Sequence, residues 1–304
     1  MPIIKANTTY TPQVRHLLHN GRHVYSSFGD EDLPSLLEKA LTLLGEDQHD
    51  LWGFLCIQVE DRPITLPTSA ADRAYLRAVA LTQGRSPSQD VVALMDAAIQ
   101  HLYNYPRPVQ IIVYGGEDWF IKPLLAAGFA LTERVAFFRL DLERRPVSNP
   151  LFPFMGKRWP HQSASAVAQL RPMQPTDIEA LTQLDAVTFD PLWHFGAKDI
   201  WELFFRARVQ VALLDEQMIG YSALSVMKDE AHLARLAVHR TAQGRGIGRQ
   251  LLADCITYAR DTHLSSIALN TQVSNGRSQR LYRQLGFHPT GLVLPIVTRT
   301  IFPK

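Results

Sequence analysis

In the second half of the chain the apolar residues alternate between two spacings. "VQVALLDEQMIGYSALSVM" (209–227) holds two apolar runs around Asp215-Glu216-Gln217, which predicts two strands joined by a turn. "AHLARLAV" (231–238) and "SIALNTQV" (266–273) read as further strands. Between them Leu251, Leu252, Cys255, Ile256 and Ala259 recur at helical spacing. "GRSQRLYRQLGF" (276–287) predicts a short helix ending at Gly286, a residue suited to a helix C-cap. Upstream, Pro175-Thr176-Asp177-Ile178-Glu179 opens a helix, with Thr176 as the expected N-cap and Glu179 three residues on. The order helix, hairpin, strand, helix, strand, helix, strand implies an α/β domain with a mixed sheet, parallel where a helix separates two strands.

The first half repeats this pattern at a shift of 158 residues without a gap. "YLRAVAL" (75–81) falls on "LARLAVH" (233–239), and "VVALMDAAI" (91–99) on "RQLLADCIT" (249–257). "VQIIV" (109–113) falls on "IALNT" (267–271), and "LLAAGF" (124–129) on "YRQLGF" (282–287). The identities are few, among them Arg77/Arg235, Leu94/Leu252, Asp96/Asp254 and Gly128-Phe129/Gly286-Phe287, but element order and spacing agree as well. The 304 residues also suit two domains. Residues 143–165 carry four prolines and no sustained period, so they read as a linker or ordered crossover. The expected division is 1–145, a linker at 146–165, and 166–304.

Composition narrows the function classes. The chain is 46% hydrophobic and 20% charged, the balance of a soluble globular protein. A net charge of +2 gives no electrostatic footprint for nucleic acid. No apolar run approaches the ~18 residues of a membrane span, and "MPIIKANTTYTPQ" lacks the regions of a signal peptide. The two cysteines, Cys56 and Cys255, both lie in apolar runs. They form no disulfide framework and no cysteine-ligated zinc, and the eleven histidines form no HExxH-type pair. The expectation is a cytoplasmic protein without metal, nucleic-acid or membrane partner.

The candidate chemistry lies in Gln243-Gly244-Arg245-Gly246-Ile247-Gly248, between the apolar strand Leu236-Ala237-Val238 and a helix starting near Gly246 to Arg249. The first turn of a helix offers unpaired N–H groups and the positive end of its dipole. Glycines let an anion approach the backbone, and Arg245 and Arg249 add positive charge. The turn therefore reads either as close packing or as a pyrophosphate nest. A dinucleotide fingerprint needs an acid at the end of the next strand, where Asn270-Thr271-Gln272 stands. A P-loop needs Gly-Lys-Ser/Thr, where Gly248-Arg249-Gln250 stands.

Gln243-x-x-Gly246-x-Gly248 after that strand resembles the acetyl-CoA motif of the GNAT superfamily of N-acetyltransferases. Asn275, Ser278 (where alanine is commoner) and Leu281-Tyr282-x-x-x-Gly286-Phe287 resemble its second motif. The resemblance covers about 166–304, and the first half is similar to a degenerate copy. It implies two tandem GNAT-like domains, each a mostly antiparallel mixed sheet flanked by helices. It further implies that Leu236, Ala237 and Val238 offer backbone to the pantetheine arm, and that the amides of Gln243 to Gly248, with Arg249 beside them, hold the pyrophosphate. Asn275 and Ser278 would adjoin the cofactor, and Tyr282 would protonate the departing thiolate. The implied activity is acetyl transfer from acetyl-CoA to a primary amine, small-molecule or peptide, by direct attack. The alternative is a non-catalytic acyl-CoA-binding or regulatory module.

Where some members place a glutamate as base, this chain has His232, which titrates near neutrality. Glu230, Asp229, Asp190, Glu202 or a water chain are the alternatives. Structural readings stand beside these roles. Tyr282 also fits core packing with Leu281 and Leu285, and Asn275 fits a helix N-cap. Arg277, Arg280 and Arg283 fit a solvated face, with Arg277 within reach of the adenosine phosphate as the other option. "FDPLWHFG" (189–196) fits a staple for the next helix or a wall of the acceptor site. In the first half the loop reads Arg85-Ser-Pro-Ser-Gln-Asp90, where Pro87 removes an amide and Asp90 adds negative charge. Leu124 stands for Tyr282 and Glu117 for Asn275. That copy is expected not to bind acetyl-CoA and to serve as a pseudo-dimer partner, in a monomer or homodimer.

Overall fold

The computed structural model describes residues 2–47, 50–60, 70–142 and 168–304, so the expected linker at 146–165 lies outside the described residues. The chain forms two compact units. Among the described residues, one comprises 2–47, 50–60, 70–135 and 293–304, the other 136–142 and 168–292. This differs from a division at 146–165, because each unit takes its last strand from the other half of the repeat.

In the first unit the elements run β1 (Ile3–Lys5), α1 (Thr11–Asn20), β2 (His23–Ser26), α2 (Leu33–Lys39), β3 (Leu41–Asp47), β4 (Asp50–Glu60), β5 (Asp72–Leu81), α3 (Pro87–Leu102), β6 (Val109–Tyr114), α4 (Asp118–Ala126) and the start of β7 (Ala130–Asp141). The strand order is β1-β3-β4-β5-β6, antiparallel except for the parallel pair β5–β6. The central strands are apolar on both faces. Leu44, Phe54, Cys56, Ala78 and Ala80 pack with α1 and α2, whereas Leu43, Leu55, Ile57, Val79 and Leu81 pack with α3 and α4. That two-sided burial explains why these strands read as continuous apolar runs.

The second unit repeats the plan with the end of β7, β8 (Gln169–Pro172), α5 (Ile178–Thr188), α6 (Ala197–Arg206), β9 (Ala207–Leu214), β10 (Gln217–Met227), β11 (Glu230–Val238), α7 (Ile247–Asp261), β12 (Ser266–Gln272), α8 (Gly276–Gln284) and the start of β13 (His288–Ile301). Its order is β7-β12-β11-β10-β9-β8, with β11–β12 parallel. Leu181, Leu184 and Ile200 of α5 and α6 cover one face, against Val211, Tyr221, Ala223 and Ala237. Leu252, Cys255 and Ile256 of α7 cover the other, against Leu224, Leu233, Ile267 and Leu269. Among the described residues no helix is long and apolar enough to cross a membrane.

Two strands carry the exchange. Ile296–Ile301 of β13 pair antiparallel with Tyr114–Val109 of β6, completing the first sheet. Phe138 and Leu140 of β7 are buried with Tyr282, Leu285 and Phe287 in the second unit's core. Both are the last strand of a repeat, and their apolar patterns do not say which sheet they join.

Local chemistry sets the element ends. Asp215 and Glu216, at φ of 50° and 62°, make a two-residue turn between β9 and β10. The start of α5 differs from expectation. Pro175–Asp177 form a 3-10 turn, and Asp177 rather than Thr176 supplies the cap by accepting from Gln174 N at 2.7 Å. Arg171 holds that carboxylate through two nitrogens, at 2.7 and 2.9 Å, and draws the Asp177 pKa down.

Candidate functional site

The site begins where two strands part. β11 and β12 pair over Glu230–Ser266, Ala231–Ile267 and His232–Ala268, yet β11 continues to Val238 and β12 to Gln272. Beyond this fork, Leu233–Val238 keep their antiparallel partner β10 but have no strand on the β12 side among the described residues. Their backbone groups on that edge need other partners. Leu236, Ala237 and Val238, the predicted pantetheine contacts, all lie on this open stretch. A chain bearing amides can add there as a further strand would.

At the end of the open edge the chain turns into α7. Gly246 is the N-cap residue at φ 87°, and Gly244 lies at 85°. A Cβ on Gly246 would meet nothing within 4 Å. The glycine is therefore required by backbone conformation, not by crowding from the protein. Gln250 N bonds back to Gly246 O at 3.0 Å, so the amides of Ile247 and Gly248 precede the first intrahelical bond. Gly244, Arg245 and Gly246 are exposed, Gly248 and Arg249 half-buried, and Ile247 buried with Leu251. Gln243 shapes the turn: its Nε2 donates to Val238 O at 3.0 Å, and its Oε1 accepts from Arg277 at 2.6 Å. Arg277 is exposed, as are Arg280 and Arg283, and from that solvated face its guanidinium reaches back to stand beside Gly244.

Helix α8 closes the third side. Asn275 caps it, accepting from Ser278 N at 3.0 Å. Gln279 donates to Gln272 O and Val273 O, tying the helix to the end of β12. Tyr282 is hydrogen-bonded to the Ser278 side chain and sits 6.1 Å from Phe138 and 6.0 Å from Phe287 between ring centroids. Burial pushes its phenol up to about 12, so it stays protonated at neutral pH. A Cβ on Gly248 would lie 3.5 Å from Leu281 and 3.6 Å from Val238, so strand end, glycine turn and α8 converge.

His232 forms the last rung before the fork, and burial lowers its pKa, which leaves the imidazole neutral at pH 7. Of the alternative bases, two have their carboxylates engaged by arginines. Glu230 is paired with Arg139 at 2.5 Å, and that contact lowers its pKa. Glu202 pairs with Arg206 along an exposed face of α6. Asp190 is exposed, and its backbone oxygen accepts from Trp193 N and His194 N. Asp229 engages Ser265 through its backbone oxygen. Burial raises the thiols of Cys56 to about 12 and Cys255 to about 11, so neither offers a nucleophile.

One polar cluster was not anticipated. Asp185 on α5 is fully buried and receives Arg235 at 2.8 and 2.6 Å, Tyr221 OH at 2.5 Å and Phe195 N at 2.6 Å. The available signal was a charge inside each of two apolar patterns, Asp185 in "ALTQLDAVTF" and Arg235 in "AHLARLAV". Buried charges survive only when paired and hydrogen-bonded.

Known proteins resemble this chain in sequence over its second half and in fold over its whole length. The sequence profile of the Acetyltransferase (GNAT) family matches residues 178–287. The chain is 26% identical over 129 residues to a putative ribosomal protein bS18-alanine N-acetyltransferase of Bacillus subtilis, covering 41% of this chain and 83% of that protein. It is 34% identical over 74 residues to the ribosomal protein bS18-alanine N-acetyltransferase of Salmonella typhimurium, covering 24% of this chain and 50% of that protein. A tandem GNAT protein from the clavulanic acid biosynthesis pathway superposes with a TM-score of 0.64 at 15% identity, over 100% of this chain and 99% of that one. That likeness is one of fold.

Proposed function

We propose that this chain, a GNAT-type acyltransferase by the domain at 178–287, transfers acetyl from acetyl-CoA to a primary amine in its second unit. The observation that carries the reading is the open edge of β11 beyond His232, ending in the glycine turn of α7. The pantetheine amides lie along Leu236–Val238, and the pyrophosphate takes the amides from Gln243 to Gly248 with Arg245, Arg249 and Arg277 near it. Asn275 and Ser278 flank the arm.

The amine nitrogen attacks the thioester carbon, the C–S bond breaks, and sulfur leaves with the electron pair. His232, neutral at the fork, accepts the amine proton. Tyr282 donates a hydrogen bond to sulfur as charge develops. Full transfer from a phenol at about 12 to a thiolate near 8.5 is uphill, so the phenol works chiefly by stabilising that charge. No covalent enzyme intermediate is needed. Because the named relatives modify an alanine, an α-amino group on an alanine-starting peptide is the first acceptor to test. Two buried free thiols suit a reducing compartment, and we place the protein in the cytoplasm.

The first unit binds no acetyl-CoA in this reading, because its own chain takes both parts of the cradle. The Asp90 carboxylate accepts from Ser86 N at 2.8 Å and pairs with Arg85 at 2.7 Å, where a phosphate would need those donors. β2 lies along Ala78–Leu81, the stretch that corresponds to the open edge of β11.

The pairing of Glu230 with Arg139, which engages the carboxylate two residues before His232, favours a second reading, an acyl-CoA-binding module without turnover. Calorimetry with acetyl-CoA should show one site per chain, and the alanine-starting peptide should release thiol. No binding sinks both readings. Binding without thiol release from any amine of a broad panel leaves the module.

A further inference from the structure

Arg235 stands three residues beyond the fork, on the edge strand itself. Its Nη2 donates to Trp193 O at 2.6 Å as well as to Asp185, and its guanidinium lies 3.6 Å from the Phe189 ring centre and 4.0 Å from that of Phe195. Asp185 in turn accepts from Phe195 N. The connection Phe189–Gly196 between α5 and α6 is thus fixed to β11 directly at Trp193 O and two aromatic faces, and through Asp185 of α5 at Phe195 N. An apolar contact would hold a loop without desolvating an ion pair, so a buried pair here fixes geometry.

The face is legible from alternation. Ala231 and Leu233 pack toward α7, as do Leu236 and Val238. The register shift opposite Ala223/Leu224 leaves Ala234 as an extra residue, so His232 and Arg235 project to the same side, that of α5 and α6. The connection held by Arg235 therefore stands on the side of the fork that carries His232. Leu192 and Trp193 within it are half-exposed.

We propose that Arg235 is a positioning residue for the acceptor. It sets Phe189–Gly196 as the wall against which the amine is held beside His232, and it touches neither acetyl-CoA nor the reacting atoms. This rests on the acetyltransferase reading above. The repeat offers an independent parallel, since Arg77 binds the matching connection through Ser27 O at 3.2 Å and Ser27 Oγ at 3.0 Å.

The test separates acceptor from cofactor. Thiol release is measured with an alanine-starting hexapeptide, and acetyl-CoA affinity by calorimetry, for wild type, Arg235→Lys and Phe195→Leu. Arg235→Lys keeps the charge and loses the fork, and Phe195→Leu leaves the ion pair intact. The expected result is a peptide KM raised about tenfold or more in Arg235→Lys and severalfold in Phe195→Leu, with kcat within about threefold and acetyl-CoA affinity within about twofold. An unchanged KM in both variants overturns the proposal, as does acetyl-CoA affinity falling in step with KM. If Arg235→Lys fails to fold, Phe195→Leu decides alone. Where the peptide releases no thiol but another amine of the panel does, the KM of that amine is read in its place; a wild type that does not bind acetyl-CoA, or that binds it and releases no thiol with any amine of the panel, overturns the acetyltransferase reading itself.

Discussion

The two units build the same fork and finish it differently. In the first, β5 pairs with β6 over Asp72–Tyr75 and Val109–Ile112, then runs on to Leu81. Its free edge is covered by β2, where His23–Ser26 pair with Leu81–Ala78. In the second, the matching edge of β11 has no such strand among the described residues, and the α5–α6 connection stands on the sheet's face under Arg235. The turns diverge in the same way. Gly246 at φ 87° opens α7, whereas Pro87, which has no N–H, opens α3 with the Asp90 carboxylate beside it. One duplicated plan thus yields a closed copy and an open one. The deciding segment is the connection between the first two helices, not the core.

The repeated arginine gives the sharpest way to test that contrast. Arg235→Ala strips a fully buried carboxylate of its partner, which costs about 3–5 kcal/mol. Arg77→Ala removes bonds to neutral partners, Gln58 at 2.9 Å and Ser27, at a half-buried position. Its expected cost is about 1–2 kcal/mol. Urea unfolding of both variants measures the gap. Equal losses would mean that the two connections are held alike.

The glycine turn tests the open copy directly. Gly246→Val forces a β-branched residue to positive φ and places a side chain over the amides. Acetyl-CoA affinity should fall about 100-fold or more by calorimetry while stability drops by roughly 1–2 kcal/mol. Asp90→Gly in the first unit should not add a second site, because β2 still lies on the edge. A stoichiometry rising to two would break the contrast.

The duplication, the element order and the glycine turn were all readable, since each is a local pattern: a spacing, a period, a residue fit for positive φ. The Arg77/Arg235 identity was visible too, but its purpose was not, because the partners Asp185 and Ser27 lie 50 residues away in each case. β2 was missed for a related reason. "HVYS" is too short to signal a strand, and its partner edge exists only once β5 and β6 have parted. The strand exchange of β7 and β13 was illegible because either copy's last strand satisfies either sheet's apolar pattern. Gln243 was read as a motif residue, and nothing local showed that its amide braces Val238 to Arg277.

Tyr282→Phe probes the open copy at its chemistry. It should lower kcat by about 10–100-fold, the weak end of acid–base effects, because a phenol at about 12 gives mainly a hydrogen bond. Acetyl-CoA affinity should stay within about twofold, since the ring keeps its place between Phe138 and Phe287. A kcat within twofold of wild type would reduce Tyr282 to packing.

The smallest expected effect is in the pH profile. Burial holds the His232 pKa below its ordinary 6.5, so the base form is present at pH 7 and is lost only under acid conditions. The rate should therefore be flat near neutrality and fall on an acid limb below pH 6.5. Stability moves in the same window: the unfolded chain takes up this proton first as pH drops, so the contribution present above 6.5 is lost below it. A falling rate alone would not separate base from fold. His232→Gln does, because it should lower the neutral rate several-fold and remove the acid limb from kcat/KM while Tm stays level. An acid limb that persists in His232→Gln would assign the proton to another group or to water.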